Sequence, residues 1–503
     1  MNASKYNKIY SITGICSYLL LVLGTILFIP LIISFIYSEP YQIKMAFLLP
    51  AVLTMVTGIL FKFIIRNKDI NLNLTTSMIA VSIAWIFSSI IGAIPLIMGL
   101  ELNFIDALFE AVSGFTTTGI TVLQGLDTMP RSVIFWRSLM QWLGGLGILT
   151  FFLLVSSRFG GNLWQLFSAE GHKIDTSRPV PNIFKTVKIL WGIYILFTAV
   201  EIILLLLFKV SFYEAVIHSF STISTGGFSS YDRSIGQYAA AGHPYFRQIE
   251  YIIIFFMLLG GINFLIHFKV LTGNFRAPFN NTELKYFFRI ILIFILLIII
   301  GKAVTDSGVF WHNILNGIEE KLRTILFQVV TLITSTGFIT RDINSGFFPA
   351  IAKQLFIILM LIGGCVGSTS GGIKVLRIVL LNSLFKREIK KLYYPRHAVL
   401  PVTLDHNIID TEEIYRVAAL VTGWLFLIMI GAVITALFSD LDAFQSFSGM
   451  ISAVGNMGPF YFSVEKMSSL SPVIKITYII GMLAGRLEIL PVFVLLSKKA
   501  WYS

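Results

Sequence analysis

Apolar residues fall along this chain in long unbroken runs, over 12–36, 45–65, 76–99, 133–156, 187–208, 249–271, 287–304, 350–385, 415–438 and 473–497. As helices these runs are long enough to cross a hydrocarbon layer of ~30 Å, so ten transmembrane helices are predicted. The run at 350–385 is interrupted by a polar, glycine-rich stretch. Four shorter stretches, at 106–115, 212–222, 322–333 and 443–451, lie between runs. They are too short to span the layer, and they are predicted as re-entrant helices that enter and leave by one face.

Each short stretch ends in a similar segment: Thr116-Thr117-Thr118-Gly119-Ile120, Ile223-Ser224-Thr225-Gly226-Gly227, Thr334-Ser335-Thr336-Gly337-Phe338 and Ser452-Ala453-Val454-Gly455-Asn456. The glycines at 119, 226, 337 and 455 recur at steps of 107, 111 and 118 residues. Small-residue pairs follow in the next run, at Gly144-Gly145, Gly260-Gly261, Gly363-Gly364 and Ala484-Gly485. A lone glycine in a membrane helix ordinarily marks close packing, but four in one frame define an internal repeat. The predicted architecture is all-α and membrane-embedded, with four span–re-entrant helix–span units around one axis. The units occupy 71–165, 180–275, 283–392 and 408–503, after an extra two-helix segment at 1–70.

Composition agrees: 56% of the residues are hydrophobic, 13% are charged, and mean hydropathy is +0.83. A globule this apolar would lack a hydrated surface, so lipid must be its solvent. The first run follows Lys5 and Lys8, but it is too long for a signal-peptide core and no small-x-small cleavage site follows, so it reads as a retained anchor. Cys16 and Cys365 both fall in apolar runs and form no disulfide framework. The net charge of +12 is concentrated in alternate loops, which fits a positive-inside bias with both termini cytoplasmic rather than a nucleic-acid surface.

The turns have a definite chemistry. A re-entrant helix leaves carbonyls unpaired at its C-terminus, and with the negative end of the helix dipole they suit a dehydrated cation. Glycine accepts the φ > 0 that lets successive carbonyls face one axis, and no carboxylate ring is present to favour divalent ions. The stretch 363–374 (Gly363, Gly364, Gly367, Ser368, Thr369, Ser370, Gly371, Gly372, Lys374) cannot form a stable lipid-facing helix and must face protein or the pore. It is not a phosphate-binding loop, because Lys374 comes one place late and no strand precedes it. Arg486 lies inside a run and needs a cavity or a partner, such as Glu488 or the loop hydroxyls. Glu201 is expected to bond inside the bundle, Asp106 and Glu110 to draw cations to the outer mouth, and His218 to be structural. No metal-ligand spacing, nucleophile elbow or convincing carboxylate pair supports the alternative of an intramembrane enzyme.

The segments FEAVSGFTTTGIT (109–121), HSFSTISTGGFS (218–229), TLITSTGFIT (331–340), SAVGNMGP (452–459), GGCVGSTSGGIK (363–374) and GRLEILP (485–491) resemble the Trk/Ktr/HKT superfamily of potassium transporters, and most of all its bacterial TrkH branch. The resemblance covers essentially the whole chain. It implies potassium uptake across the bacterial inner membrane, with a sodium-permeable protein of the same fold as the alternative. It implies a K+ selectivity filter at Thr117, Thr118 and Gly119; Ser224, Thr225 and Gly226; Ser335, Thr336 and Gly337; and Ala453, Val454, Gly455 and Asn456. It also implies a gate formed by the 363–374 loop and Arg486. Glycine at 119 implies K+ over Na+. The family further implies a homodimer in membrane lipid and a cytoplasmic TrkA-type regulatory ring that binds NAD or ATP/ADP. No cofactor is expected in this chain, and the basic stretch 386–396 is a candidate docking surface. Channel-like and H+- or Na+-coupled transport both stay open at this point.

Overall fold

A computed structural model describes residues 2–66, 73–147, 183–305, 317–395, 397, 400–405 and 407–502. The remainder of the run expected over 133–156, and Arg396 of the basic stretch, lie outside the described residues.

The leading segment is α1 (Asn2–Ile26), α2 (Phe28–Ile36) and α3 (Tyr41–Ile64). Unit 1 follows with α4 (Leu74–Leu100), the re-entrant α5 (Phe104–Phe115) and α6 (Arg131–Gly145). Unit 2 has α7 (Ile183–Leu207), the re-entrant α8 (Phe212–Ile223), α9 (Phe246–Gly261) and α10 (Phe264–Leu271). In unit 3, α11 (Thr282–Thr305), the re-entrant α12 (Ile318–Ile333) and α13 (Ala350–Leu361) lead through an irregular loop to α14 (Val375–Lys391). A two-stranded hairpin, β1 (Thr403–Leu404) and β2 (Asn407–Ile408), leads to unit 4: α15 (Thr411–Leu437), the re-entrant α16 (Ala443–Gly455), α17 (Pro472–Arg486) and α18 (Leu490–Leu496). Among the described residues six helices are long and apolar enough to cross a membrane, and two bent pairs raise this to eight.

Local sequence sets where the short helices begin. Asn103 caps α5 by accepting the Asp106 N–H (3.0 Å), Ser211 caps α8 by accepting that of Glu214 (3.3 Å), and Asp442 with Gln445 forms a reciprocal capping box on α16. Such caps are each worth about 1 kcal/mol. Asp106, Glu214 and the Glu319–Glu320 pair stand in the first turns of α5, α8 and α12, where the helix dipole favours negative charge.

The outgoing helix of each unit packs on the re-entrant helix of the next: α6 on α8, α9 on α12, α13 on α16, and α17 back on α5. The cycle therefore closes. Two of its joints carry charge pairs, the part-buried Lys475–Asp106 (2.5 Å) between α17 and α5 and the buried Arg323–Glu250 (2.6 Å) between α12 and α9.

The expected continuous runs at 249–271 and 473–497 are in fact sharply bent, by 102° between α9 and α10 and by 118° between α17 and α18. At the first bend Asn263 caps the new helix through the Leu265 N–H (2.8 Å). At the second, Glu488 and Ile489 adopt positive φ (56° and 66°) and Pro491 opens α18. Proline suits the first turn of a helix but cannot continue one.

Candidate functional site

All four re-entrant helices end in the same way. Thr117, Thr225, Ser335 and Asn456 sit in left-handed backbone at φ 53°, 52°, 53° and 51°. The next residue's N–H reaches back to a carbonyl of the last turn: Thr118 to Ser113 (2.9 Å), Gly226 to Ser221 (2.8 Å), Thr336 to Thr331 (2.8 Å) and Met457 to Ser452 (3.0 Å). This is a Schellman ending, normally built on glycine. Two threonines, a serine and an asparagine occupy the left-handed position here, at a cost of order 1–3 kcal/mol for a strained residue. Left-handed, non-glycine residues at four equivalent places make these turns the candidate functional site. One residue further on, Gly119, Gly227, Gly337 and Gly458 also have positive φ (82°, 79°, 86° and 95°).

These glycines close a ring. A Cβ at Gly119 would run into the carbonyl oxygen of Gly226, one at Gly227 into that of Thr336, and one at Gly337 into that of Met457; a Cβ at Gly458 would lie 3.1 Å from the Thr118 carbonyl oxygen. Four backbone oxygens thus stand in cyclic order, each against the glycine of the preceding unit, and only glycine permits the approach.

The equivalent positions differ from the sequence-derived frame in two units. Gly227, not Gly226, corresponds to Gly119, and Gly458, not Gly455, closes the fourth turn. Ala453, Val454 and Gly455 belong to the end of α16. Gly226 and Gly455 are glycines for other reasons. A Cβ at Gly226 would strike the Gln141 side-chain amide, and one at Gly455 would lie 2.8 Å from the Met360 carbonyl oxygen. Met457 and Gly458 were missed because the frame was keyed to the residue pair before each glycine. The available signal was Asn456, a residue type tolerant of left-handed backbone.

Several further residues support the ring. Gln141 donates to the Gly226 carbonyl (2.6 Å) and accepts from the Phe228 N–H (3.0 Å). Asn456 Nδ2 donates to Thr118 Oγ1 (2.9 Å) and to the Met482 carbonyl (3.0 Å), tying the fourth turn to the first. Glu110 does not face the outer mouth. It is fully buried, pairs with Arg137 (2.7 Å) and accepts from Thr121 Oγ1 (3.0 Å) and the Val122 N–H (3.2 Å). Asp106 is likewise engaged, with Lys475. His218 bridges Ser229 (3.2 Å) and Tyr238 (3.1 Å) inside the protein, as a structural residue would. Glu201 is fully buried on α7, and its carboxyl oxygens make no hydrogen bond among the described residues.

On one side the ring opens into a cavity of about 510 Å³ lined by all four of its positive-φ glycines, with Asp232 and Arg341. Tyr231 on that wall donates to Glu214, and burial, with help from that carboxylate, raises its phenol above the ordinary value. The other side is filled by the loop between α13 and α14. Thr369 Oγ1 reaches the Ile223 (3.0 Å) and Gly260 (3.1 Å) carbonyls and meets Thr225 Oγ1 (3.2 Å). The Gly371 N–H donates to Ser335 Oγ (2.5 Å). Arg486 donates to Thr117 Oγ1 (3.1 Å), to the Thr369 carbonyl (2.8 Å) and to the Gly144 and Gly145 carbonyls (2.6 Å each). The Glu488 carboxylate goes to Arg377 (2.5 Å). Loop and arginine thus engage the left-handed residue of units 1, 2 and 3. The cavity they leave is about 50 Å³, bordered by Gly367, Ser368, Ser370, Gly371, Gly372 and Lys374, with room for only a few waters. Lys374 Nζ bonds the Ser370 carbonyl and braces the loop internally.

The fold and site define a polytopic membrane protein built around one ring of re-entrant turns, an architecture suited to ion passage. The sequence profile of the TrkH family, described as a cation transport protein, matches residues 43–501, and the chain belongs to that family. It is a membrane transporter and not an enzyme. Among its relatives, the Trk system potassium uptake protein TrkH of Salmonella typhimurium is 31% identical over 496 residues, covering 98% of this chain and 99% of the relative. An uncharacterized cation transporter of Methanocaldococcus jannaschii is 34% identical over 481 residues, covering 95% and 93%. The crystal structure of the potassium transporter TrkH from Vibrio parahaemolyticus superposes with a TM-score of 0.84 at 26% identity, covering 98% of this chain and 99% of that one.

Proposed function

We propose that this protein takes up potassium, passing K+ through the ring of the four turns. The observation that carries the reading is the closed cycle of the Thr118, Gly226, Thr336 and Met457 carbonyls, each set against a positive-φ glycine. A ring of neutral backbone oxygens replaces the hydration shell of a monovalent cation without holding a divalent one too tightly. Thr117, Thr118 and Gly119; Ser224, Thr225, Gly226 and Gly227; Ser335, Thr336 and Gly337; and Asn456, Met457 and Gly458 form the selectivity filter. The potassium named for the Salmonella and Vibrio relatives supports the choice of ion.

The loop of Gly363, Gly364, Gly367, Ser368, Thr369, Ser370, Gly371 and Gly372, with Lys374 and Arg486, is the gate. Its contacts with three of the four left-handed residues, and the positive charge of Arg486 beside Thr117, support this reading. The protein works as a homodimer in the bacterial inner membrane, with cytoplasmic termini, and responds to a TrkA-type ring that binds NAD or ATP/ADP.

The test is Rb+ uptake into proteoliposomes containing purified protein, with and without imposed H+ and Na+ gradients. K+ should compete with Rb+ far better than Na+ does; equal competition would contradict the ion assignment. Uptake with neither gradient assigns a channel-like path, and a requirement for one assigns coupled transport.

A further inference from the structure

The gating loop is held at its base by a single carboxylate. Glu283, the second residue of α11, is buried, and its Oε1 accepts the Val366 N–H (2.8 Å) and the Leu376 N–H (3.0 Å). Val366 lies on the limb entering the loop and Leu376 in the first turn of α14, which leaves it. One oxygen therefore clasps both limbs. The neck is also closed by neutral backbone bonds, from the Gly363 N–H to the Ile373 carbonyl (2.9 Å), from the Ile373 N–H to that of Leu361 (3.0 Å) and from the Val375 N–H to that of Gly364 (3.1 Å). Bonds to an ionised acceptor are roughly twice as strong as neutral ones. The clasp is also anchored outward, since Thr282, the preceding residue, gives its N–H (3.2 Å) and hydroxyl (2.5 Å) to Asp405 in the β1–β2 turn.

We propose that Glu283 is the positioning residue that latches the loop in its blocking position, so that the loop leaves the pore only when this clasp lets go. The inference rests on the gate reading above and adds the residue that controls it.

Cys365, buried within the loop, is a built-in reporter, and Cys16 is the chain's other cysteine. In a Cys16→Ala background, alkylation of Cys365 by a small maleimide reads loop release, and Rb+ uptake in proteoliposomes reads gating. Glu283→Gln keeps the volume but removes the charge, and alkylation should rise about tenfold. Glu283→Asp keeps the charge but is too short to reach both amides, and should give an intermediate rise. Wild-type alkylation in both variants overturns the latch, because a residue that merely fills space would leave Gln silent. Faster alkylation with unchanged Rb+ uptake supports the latch and overturns the gate reading. Unchanged alkylation, with uptake raised by Arg486→Ala, overturns the latch and leaves the gate standing.

Discussion

At the scale of single residues, the left-handed positions 117, 225, 335 and 456 and the glycines two places after each do different work. The first set turns the chain out of each helix; the second lets neighbouring units come within touching distance of one another's carbonyls. Gly119→Ser would push a side chain against the Gly226 carbonyl and should lower K+ over Na+ selectivity about tenfold, equivalent to ~1.4 kcal/mol. Competition of Na+ against Rb+ uptake measures this, and unchanged selectivity would count against the assignment. Gly227→Ala should behave in the same way, because Gly227 is the structural counterpart of Gly119; a wild-type result there would restore the frame centred on Gly226. Arg486→Ala removes four hydrogen bonds that join the loop and the first turn to the end of α6. Basal uptake should rise about tenfold, in line with the loss of a few charge-assisted bonds. Lost uptake in a protein that still elutes as wild type would sink the gate role.

At the scale of elements, much is legible in the sequence. The long runs and the four short helices follow from length and local chemistry, and the glycine-rich break in unit 3 was visible as a segment no lipid-facing helix could tolerate. The bends were not. Nothing in the run at 249–271 forbids a straight helix except Asn263, and its effect depends on the loop of another unit. That loop donates from the Cys365 N–H to the Gly261 carbonyl (2.9 Å) and from the Thr369 N–H to that of Gly260 (3.2 Å), taking the carbonyls that a continuing helix would have used. The register of units 2 and 4 was hidden for a similar reason, since Gln141 and Met360, remote in sequence, explain Gly226 and Gly455. The joints between elements are testable through Lys475, which is 7% exposed against Asp106 at 16%. Lys475→Met should destabilise the protein by about 3 kcal/mol by leaving a partly buried carboxylate without its partner. Adding Asp106→Asn should recover part of that loss. Thermal melting in detergent checks the pair, and additive losses would show that the joint does not depend on this contact.

At the scale of the molecule, four unequal units make one pseudo-symmetric ring that a loop and an arginine fill from one side. Unit 3 supplies the loop, unit 4 the arginine, and the ends of α6 and α9 the carbonyls that hold them. Passage through the ring requires a cation to occupy it. Crystals grown in Rb+ and measured at the rubidium absorption edge test this most directly. An anomalous peak should lie among the Thr118, Gly226, Thr336 and Met457 carbonyls and fade when Na+ replaces Rb+. A well-ordered ring with no peak there, or one equally strong after exchange into Na+, would contradict the account.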